Sequence, residues 1–566
     1  MAVAPLQEQL RAHYSRVQNG RLANMRTQLP VAPKEPRTPS REGSKLRRQL
    51  LRLAAILLVS APAAAAAAQA RAADELQQVP QLIQSGKLGE AKKLLSEYLK
   101  THPAHSGALN LLGVVEAQEG NYGGAEASFE KAIVADPRFS GPYLNLGRLY
   151  QENPSKDPQA WKKGAATYER LLKFEPGNPE ATYQGALLRM QLGDYAASLV
   201  HLTHLPRELQ ERAQALAVRC ADHAGLQNRT QAEATEKQLL ASPDLVEADV
   251  ITILPTLARQ HQAALAIGIL EGWDKRGVAS ADALHPLAAL YAEGGSLDKA
   301  RATLERVAQL QGVSVPLLME LARVANRQQD YRGALGYLAH ARDLEPNNAA
   351  VHFFFGIVAG ETDLGEEAYR SLEKAVSLDA NNPYYNYALG ATMMNREDVH
   401  DAYPYFQKYC ALKPQDPRGR LALAAAYFYG HDLDLAQKEL HSVAGYKETA
   451  TGAHYFLGRV ANQEGRYAEA VAELQKALEG NPRYADAYAE LGIVYLKQKQ
   501  DPEAEKCLAQ ALEISPDNIP ANFNLMILYQ RRGDPRAEAR AKRFEELRKL
   551  RWERQKEFLR TIQVQP

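Results

Sequence analysis

A 34-residue periodicity of small and apolar side chains is the feature that most constrains how this chain of 566 residues can fold. A small residue returns at every 34th position in the second half: Ala300, Ala334, Ala368, Ala402, Ala436, Ala470 and Ala504. A second small series keeps the same phase: Ala288, Ala322, Gly356, Gly390, Ala424, Gly458 and Gly492. Large apolar residues form a third series: Leu304, Leu338, Leu372, Phe406, Leu440, Leu474 and Leu508. Such self-similarity indicates an array of one repeated structural unit.

Residues 453–482 show what one unit can form. The spacing of their apolar residues predicts two helices, separated by a turn at Gly465 and ended by Pro482, which cannot continue a helix. Gly458 and Ala470 are small where the two helices would cross, because larger side chains would push the backbones apart. A lone hairpin leaves an apolar face open, so hairpins must stack into an all-α solenoid.

The residues of these units resemble the tetratricopeptide repeat family. The unit that starts at 485 shows the pattern best, with Tyr488, Leu491, Gly492, Tyr495, Ala504, Leu508, Ala511 and Pro516. Eight in-phase units start at 281, 315, 349, 383, 417, 451, 485 and 519, and earlier units start near 72, 106, 140 and 179. Five extra residues around 153–158 predict a longer turn in the unit at 140. The resemblance implies a right-handed superhelical solenoid of antiparallel helix hairpins.

The domain organisation that we predict follows this pattern. An N-terminal subarray covers 72–205, and a C-terminal subarray of eight units covers 279–535. Between them, 206–278 departs from the pattern, with Trp273 as its single aromatic residue, and we expect two degenerate helical hairpins there. This makes about fourteen hairpins, and the degenerate stretch is a candidate seam or change of curvature. Residues 536–566 are predicted to form a basic amphipathic capping helix and tail; membrane or acidic-partner binding is the alternative.

The N-terminal residues resemble an export signal. Residues 1–45 are basic and lack apolar periodicity, which predicts disorder. Residues 46–71 contain basic residues, a short apolar run and the cleavage pattern Ala68-Gln69-Ala70, so we expect a signal peptide. A signal starting at Leu46 would have ordinary length, which suggests that 1–45 are a start-site artefact. The protein is therefore expected to be exported, periplasmic or extracellular. The alternatives are a membrane anchor at 50–70 and a buried Ala-rich helix in a cytosolic protein.

Charge, cysteines and motifs exclude several function classes. Residues 53–566 carry 57 Lys and Arg against 64 Asp and Glu, so this acidic part is a poor candidate for binding nucleic acid. The three cysteines lie far apart and form no CxxC motif. No catalytic motif with a suitable context is present, and His201 and His204 lack a third metal ligand. We therefore expect a non-enzymatic protein with no cofactor and no metal site.

The family resemblance also implies a binding surface, because the first helix of each unit lines a concave groove. Transfer of the family's groove positions gives thirteen candidate residues: Phe353, Ile357, Tyr384, Tyr387, Met394, Leu421, Phe428, Tyr429, Tyr455, Arg459, Ile493, Phe523 and Ile527. Tyr and Phe are common anchors in protein interfaces, although some of these side chains could instead fill the packing between helices. We expect Tyr387, Tyr429 and Tyr455 to offer successive aromatic contacts to a bound segment.

Two functions from different classes fit this prediction. The first is a scaffold that binds a partner polypeptide, as a peptide or helical segment, within an exported assembly for cell-envelope biogenesis or secretion. The alternative is an accessory protein that handles a carbohydrate polymer in polysaccharide synthesis or export, because tyrosines also stack on sugars. Membrane contact is expected only through the N-terminal anchor or the C-terminal basic helix.

Overall fold

The computed structural model describes residues 76–562 apart from 154–156, 158, 363 and 395–398, and its side-chain description ends at Lys549. The basic extension at 1–45 and the signal or anchor segment at 46–71 lie outside the described residues. The predictions made for those segments therefore stay predictions.

The described residues form helices without any strand, which confirms the all-α prediction. The helices up to residue 311 are α1 (Val79–Gln84), α2 (Leu88–Thr101), α3 (Ser106–Gln118), α4 (Tyr122–Ala135), α5 (Ser140–Glu152), α6 (Ala160–Leu172), α7 (Pro179–Leu192), α8 (Tyr195–Thr203), α9 (Arg207–Gln210), α10 (Ala213–Gly225), α11 (Arg229–Ala241), α12 (Glu247–Arg259), α13 (Ala263–Asp274), α14 (Ala281–Glu293) and α15 (Leu297–Gln311).

The later helices are α16 (Val315–Arg327), α17 (Tyr331–Leu344), α18 (Ala349–Gly360), α19 (Gly365–Leu378), α20 (Pro383–Met393), α21 (Tyr403–Leu412), α22 (Pro417–Tyr429), α23 (Leu433–Val443), α24 (Ala450–Gln463), α25 (Tyr467–Gly480), α26 (Ala485–Lys497), α27 (Asp501–Ile514), α28 (Ile519–Arg532) and α29 (Arg536–Ile562). A 3-10 turn at Val399–Ala402 precedes α21. Apart from the short α9, these helices pair into fourteen hairpins within the described residues, the last of which is completed by α29.

The stretch 206–278 holds two hairpins, and these keep the repeat phase that the sequence analysis did not find there. The first helices α7, α10, α12 and α14 start at Pro179, Ala213, Glu247 and Ala281, each 34 residues after the previous one. Cys220 occupies the small position of α10, where its Sγ lies 3.5 Å from the Ala232 carbonyl oxygen. The pattern was missed because a cysteine and a leucine stand where other units have glycine or alanine.

The small residues lie where the two helices of a hairpin cross, as predicted. An added Cβ on Gly458 would lie 2.6 Å from Leu474 Cγ and 3.2 Å from the carbonyl oxygen of Ala470. Gly356 and Gly492 have the same close neighbours in their own units. A side chain at these positions would force the helices apart, so the periodicity reflects direct backbone contact. The longer turn in the unit at 140 is also present, since α5 ends at Glu152 and α6 begins at Ala160.

The described chain divides into two compact units, residues 76–310 and 311–562. The candidate seam at 206–278 lies entirely inside the first unit. The second unit ends with α29, which begins at Arg536. Leu547 of α29 is buried, and the Phe544 ring packs against the Phe523 ring of α28 with centroids 5.3 Å apart. Helix α29 therefore covers part of α28, the first helix of the final repeat, and a capping helix would do the same.

Candidate partner-binding groove

Within residues 311–562, the first helices of successive 34-residue repeats contact one another. Helix α22 contacts α24, α24 contacts α26, and α26 contacts α28. Their outward side chains form one continuous surface, which we call the groove surface. It contains most of the residues that the family resemblance nominated.

Three nominated residues lie in the core instead of on this surface. Phe353, Tyr387 and Phe428 are buried, with 8%, 8% and 2% of their area exposed. The Tyr387 ring meets those of Phe406 and Tyr409 edge to face, with centroids 5.5 Å and 5.1 Å away. These rings are long enough to reach between the helices, where burial stabilises them more than solvent contact would. The expectation that Tyr387 offers an open aromatic contact is therefore wrong.

The other nominated residues remain accessible to different degrees. Tyr429 and Phe523 are exposed, at 48% and 41%, although Phe523 is partly covered by Phe544. The remaining eight are partly buried: Ile357, Tyr384, Met394, Leu421, Tyr455, Arg459, Ile493 and Ile527. The structure brings Tyr429, Tyr455 and Arg459 together on α22 and α24. Their role in partner binding stays a prediction.

Arg459 is surrounded by four aromatic rings, a group that we call the Arg459 cluster. Its guanidinium carbon lies 4.5 Å from the ring centre of Phe428, 5.4 Å from Tyr429, 5.5 Å from Tyr455 and 5.7 Å from Phe456. Arg459 Nη1 donates a hydrogen bond to the Tyr429 hydroxyl at 3.1 Å. Cation–π attraction and this hydrogen bond hold the side chain in one orientation.

A polar chain continues from the cluster across α26. Glu490 Oε2 lies 3.8 Å from Arg459 Nε, and Asn462 Nδ2 donates to Glu490 Oε1 at 2.5 Å. Lys497 Nζ donates in turn to Asn462 Oδ1 at 2.8 Å. Two cations thus flank one carboxylate on the groove surface.

The protonation states within the cluster are clear at neutral pH. Burial alone would lower the pKa of Arg459, but the hydroxyls of Tyr455 and Tyr429 and the Glu490 carboxylate outweigh it and raise that pKa. Burial raises the pKa of the Tyr455 hydroxyl. The cluster therefore presents a guanidinium cation beside the neutral phenol of Tyr455.

Four contributors to this arrangement were missing from the sequence-based set. Asn462 and Lys497 also occupy the family's groove positions in their repeats, but the candidate set kept mainly apolar and aromatic residues at those positions. Phe456 and Glu490 share the sixth position of their units, which lies outside that rule. No signal in one sequence shows that these positions face Arg459.

The groove side of the first unit is polar. Asn145 Nδ2 donates to Asn110 Oδ1 at 2.9 Å, and Gln151 Nε2 donates to Gln184 Oε1 at 2.9 Å. These amide side chains therefore bond to one another across neighbouring first helices.

Among the described residues, no group of three or more His, Cys, Asp or Glu is placed to hold a metal ion. His201 contacts Glu169 and Arg189 and does not pair with His204 in a ligand set. Burial raises the pKa of Cys220 to about 12 and of Cys410 and Cys507 to about 11, so these thiols are poor nucleophiles at neutral pH.

Comparison with known families identifies the repeat. Residues 76–138 and 421–482 match one tetratricopeptide repeat model, and residues 461–526 match another. The chain carries tetratricopeptide repeats. Arrays of this kind are scaffolds for protein–protein interaction.

The curated relatives resemble this tetratricopeptide repeat chain only in part. The bovine BBSome complex member BBS4 is 22% identical over 344 residues, which cover 59% of this chain and 57% of that protein. Cellulose synthase operon protein C of Pseudomonas fluorescens is 31% identical over 133 residues, 22% of this chain and 10% of that protein. The chain thus spans from a tenth to just over half of the length of these relatives.

The chain is also similar to solved structures. One of them is a chain of the APC/C hetero-tetramer Cut9–Hcn1, which is 14% identical to this chain. The matched region covers 80% of this chain and 95% of that chain, with a TM-score of 0.35.

None of the helices in the described part of the chain is both long and apolar enough to cross a membrane.

Proposed function

We propose that the protein is a scaffold that binds a partner polypeptide on the groove surface of the second unit, within an exported assembly. The observation that supports this binding surface is the half-exposed ring of Tyr429, which belongs to the Arg459 cluster. Exposed tyrosine and a positioned arginine are the residue types that dominate binding energy in protein interfaces. Export is supported by the composition of residues 46–71 alone.

A site-specific photo-crosslinking experiment tests the binding surface. A photoreactive phenylalanine analogue replaces Tyr429 in one variant and Tyr446 in another; Tyr446 is equally exposed, at 50%, but follows the second helix α23. The variants are irradiated in the native host, and the crosslinked products are analysed for both peptides and glycans. We expect specific polypeptides at position 429 and not at 446. Equal crosslinking at both positions would contradict the assignment.

Carbohydrate handling is the second candidate, favoured by the local similarity to cellulose synthase operon protein C. Glycans at position 429, without polypeptides, would support it over the scaffold function.

A further inference from the structure

We propose that the Arg459 cluster recognises an acidic side chain of the partner segment, with a neighbouring apolar side chain of that segment packed on Tyr429. This inference rests on the proposed scaffold function and adds the chemistry of the partner.

Arg459 has hydrogen-bond donors to spare. A guanidinium carries five N–H donors, and the described protein contacts of Arg459 include one hydrogen bond, to Tyr429. Its Nε lies 3.8 Å from Glu490, too far for a hydrogen bond. The side chain is 22% exposed, so an acceptor from outside can reach it. A carboxylate suits a guanidinium best, because it can accept two parallel N–H bonds.

Two cations of this patch can attract an anion. Arg459 and Lys497 lie on either side of the Glu490–Asn462 pair, and the Asp486 carboxylate also acts on the Tyr455 hydroxyl. Lys497 donates two of its N–H groups to oxygens of Asn462, and the third is available. An anion would therefore meet open N–H donors of both cations, although the patch as a whole is not strongly charged. The four rings already fix the guanidinium, so little conformational entropy is lost when the acidic group binds.

The same geometry disfavours a neutral sugar chain. Sugars stack on open ring faces, but Phe428 is buried and the Tyr455 ring is covered by Phe456 and Tyr484, at centroid distances of 5.3 Å and 4.9 Å. Tyr429 is the single exposed ring of the cluster. One open ring can seat one apolar side chain, which fits a peptide better than a polymer of repeated sugar rings.

The test selects ligands from a display library of short random peptides on the full chain. Enriched peptides are resynthesised with a fluorescent label, each together with a version in which Asp and Glu become Asn and Gln. Affinities are measured by fluorescence anisotropy for the native protein and for Arg459→Gln, Arg459→Lys and Lys497→Gln. Arg370→Gln is the matched control, because Arg370 is 72% exposed in a surface pair with Glu366 on α19. Cello-oligosaccharides are the carbohydrate probe.

We expect enriched peptides that place Asp or Glu beside a large apolar residue. Arg459→Gln and the amide peptides should each weaken binding by about tenfold or more, Arg459→Lys should restore it only in part, and Arg370→Gln should leave it unchanged. If Arg459→Gln fails to fold, Lys497→Gln decides, with an expected loss of about threefold.

Two outcomes would overturn this inference and leave the scaffold function in place. The first is enrichment of peptides without acidic residues. The second is acidic peptides whose affinity is unchanged by Arg459→Gln and by Lys497→Gln. Binding of cello-oligosaccharides with no enriched peptide would overturn both.

Discussion

Tyr387 and Tyr429 are the same residue type on the first helices of adjacent repeats, yet one is buried and the other is half exposed. Tyr387 lies early in the helix α20 and points between helices, whereas Tyr429 ends α22 and lies beside Arg459. At the residue scale, the position along the helix therefore decides which ring can meet a partner.

Alanine substitutions should separate these two roles. Tyr387→Ala removes a ring from the core and should destabilise the second unit by about 3 kcal/mol, because a cavity remains. Tyr429→Ala should cost about 1 kcal/mol or less. Chemical denaturation followed by circular dichroism measures both, and equal losses would contradict the burial difference.

Asp222 is a buried carboxyl group in α10 with no exposed area. Neither of its oxygens has a hydrogen-bond partner among the described residues, and the facing Ser198 hydroxyl donates to the Ala186 carbonyl instead. Burial raises the pKa of Asp222 to about 8, and the Asp194 carboxylate adds to the shift. The group is therefore mostly protonated in the folded protein at neutral pH.

This burial predicts a pH dependence with a definite sign. The unfolded chain loses the Asp222 proton near its ordinary pKa of 3.8, while the folded chain keeps it up to about 8. Its contribution to stability is therefore fully present below pH 4 and is lost as the pH rises towards 8.

Asp222→Asn should flatten that part of the pH profile and raise stability at pH 8 by about 1–3 kcal/mol. Thermal unfolding from pH 4 to 9 measures this, with Asp343→Asn on the exposed side of α17 as the control. Parallel profiles for the native protein and Asp222→Asn would contradict the prediction.

At the element scale, the turn inside each hairpin repeats as faithfully as the helices. One residue with a left-handed backbone recurs at 34-residue intervals: Gly193, Gln227, His261, Gly295, Gln329, His431, Gly465, Lys499 and Gly533 among the described residues. Five of these are not glycine, and a side chain in this conformation costs about 1 kcal/mol. The repeated fold imposes the turn even where the residue type disfavours it.

Reciprocal substitutions test this strain. Lys499→Gly should stabilise its hairpin by about 0.5 kcal/mol, since relief of strain exceeds the added freedom of the unfolded chain. Gly465→Lys should destabilise its hairpin by about 1 kcal/mol, although no atom lies within 4 Å of an added Cβ. Hydrogen exchange in α26 and α24 measures each effect locally. A gain from both changes would show that the backbone conformation is not the cause.

At the scale of the whole molecule, the predicted export signal can be tested by itself. A fusion of residues 1–75 to a reporter that is active only after export should be active. Leu57→Arg with Leu58→Arg should abolish that activity, because each charge in the apolar run costs about 2.5–3.5 kcal/mol on insertion scales. Leu6→Arg with Leu10→Arg, in the basic extension, is the matched control. Export that survives the first pair would remove the signal hypothesis.

The sequence alone determined the hairpin, its 34-residue period and the small residues at the helix crossings. These features depend on contacts inside one unit or between neighbours, so each leaves a periodic trace.

The tertiary structure alone decided that 206–278 keeps the phase, that Tyr387 is core and that four rings and Glu490 meet at Arg459. A cysteine and a leucine at small positions hide the first of these in the sequence, whereas the other two depend on which side chains of successive repeats face one another. That relation follows from the packing angle between units, and the 34-residue pattern is the same whether a side chain at a given position points into the core or out of it.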